Sequence, residues 1–312
     1  MGKICFFEAF TGVTTKGEQM MAPLQRERIL DNPVHPLSNS EAIDLMVTVA
    51  FQGEPGAYVC LTNVHTTLQS QKLPKLREAT DRAYVSLPDG MPLVWLLRRR
   101  GHTSTEKLTG ADLMPMLASA GVECGLRHFM YAWSPLLGEA AARGLVAAAP
   151  GTQIVGVHTP PFAAEQNAQL AELRAVNPEN VPLAPPWVDI GGPVQEVDWE
   201  LDKLQGVLRE TKPHVLWVGL GSPVQEEWMA MVAGKLDVPL MIGVGRAFNY
   251  LGGQLRRCPP WAVNVGLEWL FTLAQEPGRL WRRYLLGNTT FLFMVARDSL
   301  GTRSVTQHSP DD

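Results

Sequence analysis

Cysteine is scarce. Cys5, Cys60, Cys124 and Cys258 are the only four in 312 residues, and no two have metal-binding or redox spacing. Isolated cysteines in apolar runs exclude a disulfide scaffold and suit a reduced, cytoplasmic protein. Long apolar runs are also missing. None reaches the roughly 20 residues of a spanning helix, and Thr290–Ala296, the nearest, is far shorter. Met1–Phe10 carries one Lys and an apolar patch too short for a secretory signal. The chain lacks a strong charge excess: the net is −4, which leaves no broad basic field for nucleic acid. His65, His158 and His214 each lie in or beside an apolar run without a second ligand at metal spacing. That argues for hydrogen-bonded core histidines.

What is present is an ordinary soluble composition, 46% hydrophobic and 19% charged, in a chain long enough for one large domain or two small ones. Residues 1–37 show no periodicity and read as a flexible arm. Ser38-Asn39-Ser40-Glu41 is a capping-box signature that predicts a helix over about 39–52. Strands are expected at Ala57–Leu61, Ala83–Leu87, Arg127–Ala132, Gln153–His158, Val215–Val218 and Met241–Val244. Helices are expected over 66–79, Leu93–Arg100, Leu113–Ala120, 137–148 and 198–210. The alternation argues for a Rossmann-like α/β fold, a mostly parallel sheet covered by helices. Asn177–Pro193, rich in Pro and polar residues, reads as a loop excursion.

Two constellations stand out. In Val85–Trp95 an apolar strand ends at Pro88, Asp89-Gly90 supplies a turn, and Met91-Pro92 opens a helix. Asp89 thus sits at a strand exit, the edge where open α/β sheets bind ligands. A carboxylate there can serve as a general base, or it can simply cap a helix. The polar run from Thr62 through Asn63 to Thr67, after another strand, is a second rim. In His214–Trp228 the strand runs into Gly219-Leu220-Gly221, with Gln225 and Glu226 at the next helix start. A second glycine pair, Gly243-Val244-Gly245, ends the following strand, and Asn249 lies just beyond. Neither has the third glycine of the dinucleotide fingerprint. Together they point to a nucleotide crevice where backbone N–H groups approach a phosphate.

The C-terminal part changes character. Trp261–Leu273 is apolar, and Arg279-Leu280-Trp281-Arg282-Arg283-Tyr284 interleaves basic and aromatic residues. Such a segment either lies on anionic lipid or docks by its tryptophans with solvated arginines outside. The divisions expected are an arm over 1–37, a core over 38–255, a basic and aromatic helical appendage over 256–297 and a disordered tail over 298–312.

LPDGMPLVW at 87–95, VGLGSPVQEEW at 218–228, VGRAFNYLGG at 244–253 and GLEWLFTLAQEPGRLWRRY at 266–284 occur in one order, with GADLMP at 110–115 and VGVHTPPF at 155–162 between them. Over residues 38–290 the chain resembles the WecG/TagA/CpsF family of bacterial glycosyltransferases. The resemblance implies inverting, metal-independent transfer from a UDP-sugar to a polyprenyl-diphosphate-linked acceptor in surface polysaccharide synthesis. It also implies peripheral attachment at the inner face of the cytoplasmic membrane, with no cofactor beyond the donor. Asp89 would then be the general base. Asn63, Gly219, Gly221, Gln225, Glu226, Gly245 and Asn249 would contact the nucleotide sugar. Arg279, Arg282 and Arg283 would hold the acceptor diphosphate or the membrane.

The chemistry of the residues agrees with that reading. The chain contains no Asp-x-Asp pair, so helix N-termini, backbone N–H groups and arginines must meet the charge of the leaving group. The chain departs from the family pattern at Leu61, Val224, Asn249, Lys107 and Thr272. These departures keep open an inactive homologue that binds nucleotide sugar or lipid as an assembly partner. The apolar appendage could also pack on a second copy of the chain.

Overall fold

The computed structural model describes residues 24–52, 54–161, 193–197, 199–259, 262, 268–275 and 287–305. The chain opens with a hairpin, β1 (Glu27–Ile29) and β2 (Asn32–Val34), paired antiparallel. Helix α1 (Asn39–Gln52) leads to strand β3 (Ala57–Thr62), and helices α2 (Val64–Ser70) and α3 (Pro74–Asp81) lead on to β4 (Val85–Pro88). Helices α4 (Met91–Arg99) and α5 (Gly110–Gly121) precede β5 (Arg127–Ala132), and α6 (Pro135–Ala148) precedes β6 (Gln153–His158). A short 3-10 turn at Val194–Glu196 and helix α7 (Leu201–Thr211) come before β7 (Val215–Gly219), α8 (Val224–Val232), β8 (Leu240–Gly243) and α9 (Ala247–Leu251). Helices α10 (Glu268–Gln275) and α11 (Gly287–Val305) end the described chain.

Strands β3 to β8 form one parallel sheet in the order β4-β3-β8-β7-β5-β6. The chain steps outward from β3 to β4 on one side and from β5 to β6 on the other. It then returns through β7 and β8 to fill the centre. Central strands of such a sheet are covered on both faces and therefore read as continuous apolar runs. Val215, Leu216, Trp217 and Val218 are each 0% exposed. Because every strand runs the same way, Asn63, Asp89, Gly219–Gly221 and Gly243–Gly245 all emerge at one edge.

Three expectations from the sequence are corrected. The arm is structured from about residue 27 on. Leu30 and Asp31 both adopt positive φ (48° and 64°), a two-residue turn that suits the twist of a hairpin. Ile29 and Val34 are fully buried, and His35 covers the edge of β4. Its N–H donates to Ser86 O (2.8 Å), and its Nδ1 accepts from Ser86 N (3.0 Å). An edge strand is thereby closed to further pairing. The helix expected over 66–79 is two helices, because Pro74 begins a new one and disfavours helical geometry at Leu73. The tail expected from 298 is helical as far as Val305. Residues 1–23, most of the 177–193 excursion and Trp281 lie outside the described residues.

A second, smaller apolar cluster joins the hairpin to the C-terminal helix. Ile29 and Val34, Val64 of α2, Leu93 and Leu97 of α4 and Phe291 of α11 pack together. Leu93 and Leu97 are one helical turn apart, as are Phe291 and Val295, so each helix offers one stripe to this cluster.

Of the histidines expected in the core, His214 and His158 are half-buried: His214 Nδ1 accepts from Arg127 N (3.0 Å), whereas His158 stacks on Tyr131 and leaves Nε2 without a partner. His128 is fully buried, and its Nδ1 accepts the Trp217 indole N–H (3.1 Å). Burial first, and the neighbouring His214 second, lower its pKa from 6.5 to about 4. Between those values the unfolded chain binds a proton that the folded chain refuses, so stability present above pH 6.5 is lost as pH falls toward 4. Urea unfolding should show His128→Asn losing about 2 kcal/mol less than the native chain between pH 7 and pH 5. Equal losses would contradict this assignment.

Candidate active site

Asp89 follows β4, and its backbone N–H donates to Thr62 O (2.8 Å), which extends the pairing of β4 with β3 past the strand end. Asn63 follows β3 and caps α2. Its Oδ1 accepts from the N–H groups of His65 (3.0 Å) and Thr66 (3.1 Å). With the oxygen committed to the helix, the amide nitrogen faces Asp89 and donates to Oδ2 (3.3 Å). The cap therefore fixes which end of the amide meets the carboxylate. Both side chains are half-buried.

The glycine turns stand across the edge from this pair. Asp89 is two strands from β8 and three from β7, or about 10 Å and about 14 Å at the usual strand spacing. The two glycines of each turn have different reasons. A Cβ on Gly219 would lie 2.8 Å from the Phe248 ring, and one on Gly243 would lie 2.8 Å from Met229 Cε. Those first glycines allow close packing. Gly221 and Gly245 have positive φ (77° and 49°), which glycine adopts without strain. A Cβ on Gly221 would meet nothing within 4 Å, so this turn offers bare backbone to open space.

Gln225 lies between the turns. Its Oε1 accepts from Gly221 N (3.1 Å), and its Nε2 donates to Glu226 Oε1 (3.0 Å). Gln225 is 5% exposed and Glu226 1% exposed. Burial pushes the Glu226 carboxyl above its ordinary value, partly offset by the Gln225 hydrogen bond. Glu226, expected to contact a nucleotide, thus lies buried under the turns. The Gly221 N–H is likewise engaged by Gln225, although its expected partner was a phosphate. Asn249, on α9, donates through Nδ2 to Gln254 Oε1 (2.5 Å) and stabilises the turn after that helix.

The segment before α5 closes the site between β4 and β8. Leu108 N donates to Pro88 O (3.1 Å), and a Cβ on Gly110 would lie 2.9 Å from Val244 O. Half-buried Lys107 is therefore held at the rim next to the exit of β4. Half-buried Arg246 follows Gly245 at the start of α9. Sequence reasoning passed over Arg246, whose one signal was a cation directly after a strand-ending glycine turn. Arg257 pairs with Asp112 of α5. Arg279, Arg282 and Arg283 lie outside the described residues. Among the described residues no group of three or more His, Cys, Asp and Glu side chains is placed to hold a metal ion.

The arrangement is one oriented carboxylate facing two backbone turns across an edge lined with cations. That suits proton abstraction beside an anionic leaving group. A sequence model of the family described as "Glycosyl transferase WecG/TagA/CpsF family" matches residues 27–199 and 190–305. Two curated relatives share the name N-acetylglucosaminyldiphosphoundecaprenol N-acetyl-beta-D-mannosaminyltransferase. The one from Bacillus spizizenii (strain ATCC 23059 / NRRL B-14472 / W23) is 22% identical over 230 residues, 74% of this chain and 75% of the relative. The one from Bacillus subtilis (strain 168) is 20% identical over 262 residues, 84% of this chain and 88% of the relative.

The double duty of Asn63 can be separated by substitution. Asn63→Ala removes the cap and should cost about 1 kcal/mol, whereas Asn63→Ser keeps a capping oxygen and should cost only a few tenths. Urea denaturation at pH 7 measures both. A Ser variant as unstable as the Ala variant would contradict the capping role.

Proposed function

The chain belongs to the WecG/TagA/CpsF family of glycosyltransferases, and on that footing we propose that it moves a sugar from a UDP-sugar to a lipid-linked diphosphate acceptor, with inversion and without a metal. The acceptor follows the relatives' printed names, which specify a diphosphoundecaprenol. The observation that carries the reading is the Asn63–Asp89 pair, held at the same sheet edge as the two glycine turns. In the proposed step the acceptor hydroxyl oxygen bonds to the anomeric carbon, and its proton passes to the Asp89 carboxylate. The bond from that carbon to the diphosphate oxygen breaks, and UDP leaves with the electron pair. Attack from the face opposite the leaving group inverts the centre. Lys107 and Arg246 stand at the rim to meet the departing charge, with the backbone of the Gly221 and Gly245 turns beneath it.

Asp89→Asn keeps the shape of the site and removes the base. It should lower transfer at least 100-fold while UDP-sugar still raises the melting temperature as in the native chain. Full turnover by Asp89→Asn would end the base assignment. Saturable UDP-sugar binding without transfer by the native chain would favour the inactive-homologue reading.

A lipid-linked acceptor also requires approach to a bilayer, here the inner face of the cytoplasmic membrane. Among the described residues no helix is long and apolar enough to cross one. Two helices of the second cluster offer a surface contact instead. On α4, Trp95 is 58% exposed, and exposed Arg99 follows one turn on. On α11, Leu292 and Phe293 are 63% and 69% exposed, with exposed Arg297 one turn beyond Phe293. An aromatic ring with a cation beside it matches the interface of anionic lipid. Native chain should co-sediment with anionic vesicles, and the Trp95→Ser, Phe293→Ser double variant should partition several-fold less. Equal partitioning would contradict this surface.

A further inference from the structure

Glu226 is a buried carboxyl beneath the crevice whose position the chemistry above leaves unexplained. Glu226 is 1% exposed, its Oε1 accepts from Gln225 Nε2 (3.0 Å), and hydrogen bonds from its own backbone and from Ser222 also favour its charged form. An apolar residue of similar size would escape the desolvation penalty of the carboxyl but would leave the buried Gln225 Nε2 without its acceptor, two effects of opposite sign.

We propose that Glu226 is a positioning residue: its carboxyl orients the Gln225 amide, and the amide in turn sets the two glycine turns that line the nucleotide site. The last clause rests on the donor site proposed above, whereas the orientation of the amide does not. A glutamine side chain has an accepting and a donating end, and the two are close in shape. Here the donating end meets Glu226 Oε1 (3.0 Å) and the accepting end meets the Gly221 N–H (3.1 Å). Flipping the amide would set donor against donor at Gly221 and acceptor against acceptor at Glu226. The acceptor beneath Nε2 is therefore what makes Oε1 available above.

The amide is also enclosed by the second turn. A Cβ on Gly243 would lie 3.0 Å from Nε2, and one on Gly245 would lie 3.4 Å from Oε1 and 3.7 Å from Gly221 Cα. One side chain thus touches both turns, and its orientation fixes their separation. Remove the acceptor at 226, and the amide is free to turn over while the fold stands.

The experiment compares native chain, Glu226→Gln and Glu226→Leu. Gln retains an accepting oxygen, and Leu is apolar and of similar size. The first readout is hydrogen–deuterium exchange of the Gly221 amide in the ligand-free protein. It should be as slow in Glu226→Gln as in the native chain and at least tenfold faster in Glu226→Leu. The second is UDP affinity by calorimetric titration, which Glu226→Leu should weaken about tenfold and Glu226→Gln should restore. The third is the melting temperature, which in Glu226→Leu should stay within a few degrees of the native value, because the lost desolvation penalty offsets the unpaired Gln225 amide. A tenfold loss of binding and of Gly221 protection alongside a melting temperature that scarcely moves separates positioning from a structural role.

Unchanged Gly221 exchange in Glu226→Leu would overturn the proposal. So would parallel losses of exchange protection and melting temperature in both variants. Absence of UDP binding by the native chain would overturn the donor reading alone, because the exchange result is obtained without ligand.

Discussion

The Asn63 side chain has one oxygen and one nitrogen, and the fold uses both. The oxygen ends the unsatisfied N–H groups of α2, and the nitrogen reaches the Asp89 carboxylate. Neither strand could deliver this alone. Strand β3 supplies the cap, and β4 supplies the carboxylate. Their parallel pairing, from Val59 with Val85 to Thr62 with Pro88, brings the two ends level. The orientation of the Asp89 carboxylate is thus tied to the start of a helix and to the register of two strands. Chemistry that needs a fixed carboxylate gains its rigidity from secondary structure.

The far wall of the crevice follows the same logic with different parts. Backbone replaces side chain there, because the turns after β7 and β8 are made of glycine and pressed together around one amide. The first glycine of each pair admits a neighbour's packing, and the second admits a positive φ. The amide of Gln225 then occupies the space between them. Beside this crevice the hairpin, α2, α4 and α11 share a second apolar cluster. The C-terminal helix is therefore fastened to the two elements that flank Asn63 and Asp89, and its exposed Leu292 and Phe293 lie outside that cluster.

Much of this was legible in the chain, for identifiable reasons. Each parallel strand is a short apolar run with a turn signal at its end, so both the sheet and the residues at its exits could be read from Pro88-Asp89-Gly90 and from the two glycine pairs. The hairpin could not, because Leu30-Asp31 lacks the Asn-Gly or Asp-Gly signal and three-residue strands show no period. The break at Pro74 was hidden inside a continuous polar and apolar pattern. Burial of Glu226 was equally hidden: a carboxylate in the first turn of a helix ordinarily faces solvent, whereas α8 packs against α3, β8 and β3. Arg246 had no periodic company to mark it. Asn249 stands at a motif position where the chain departs from the family pattern, and its amide bonds Gln254, a partner that adjacency in sequence does not disclose.

The central claim is that a nucleoside diphosphate lies along the C-terminal edge of the sheet, between Asp89 and the turns at Gly221 and Gly245. A crystal structure of the chain with UDP tests it most directly. The account predicts the diphosphate over those turns, within reach of Lys107 or Arg246, with its terminal phosphate directed toward Asp89. UDP bound at the opposite edge of the sheet, or on the outer side of β6 away from Asp89, would contradict it.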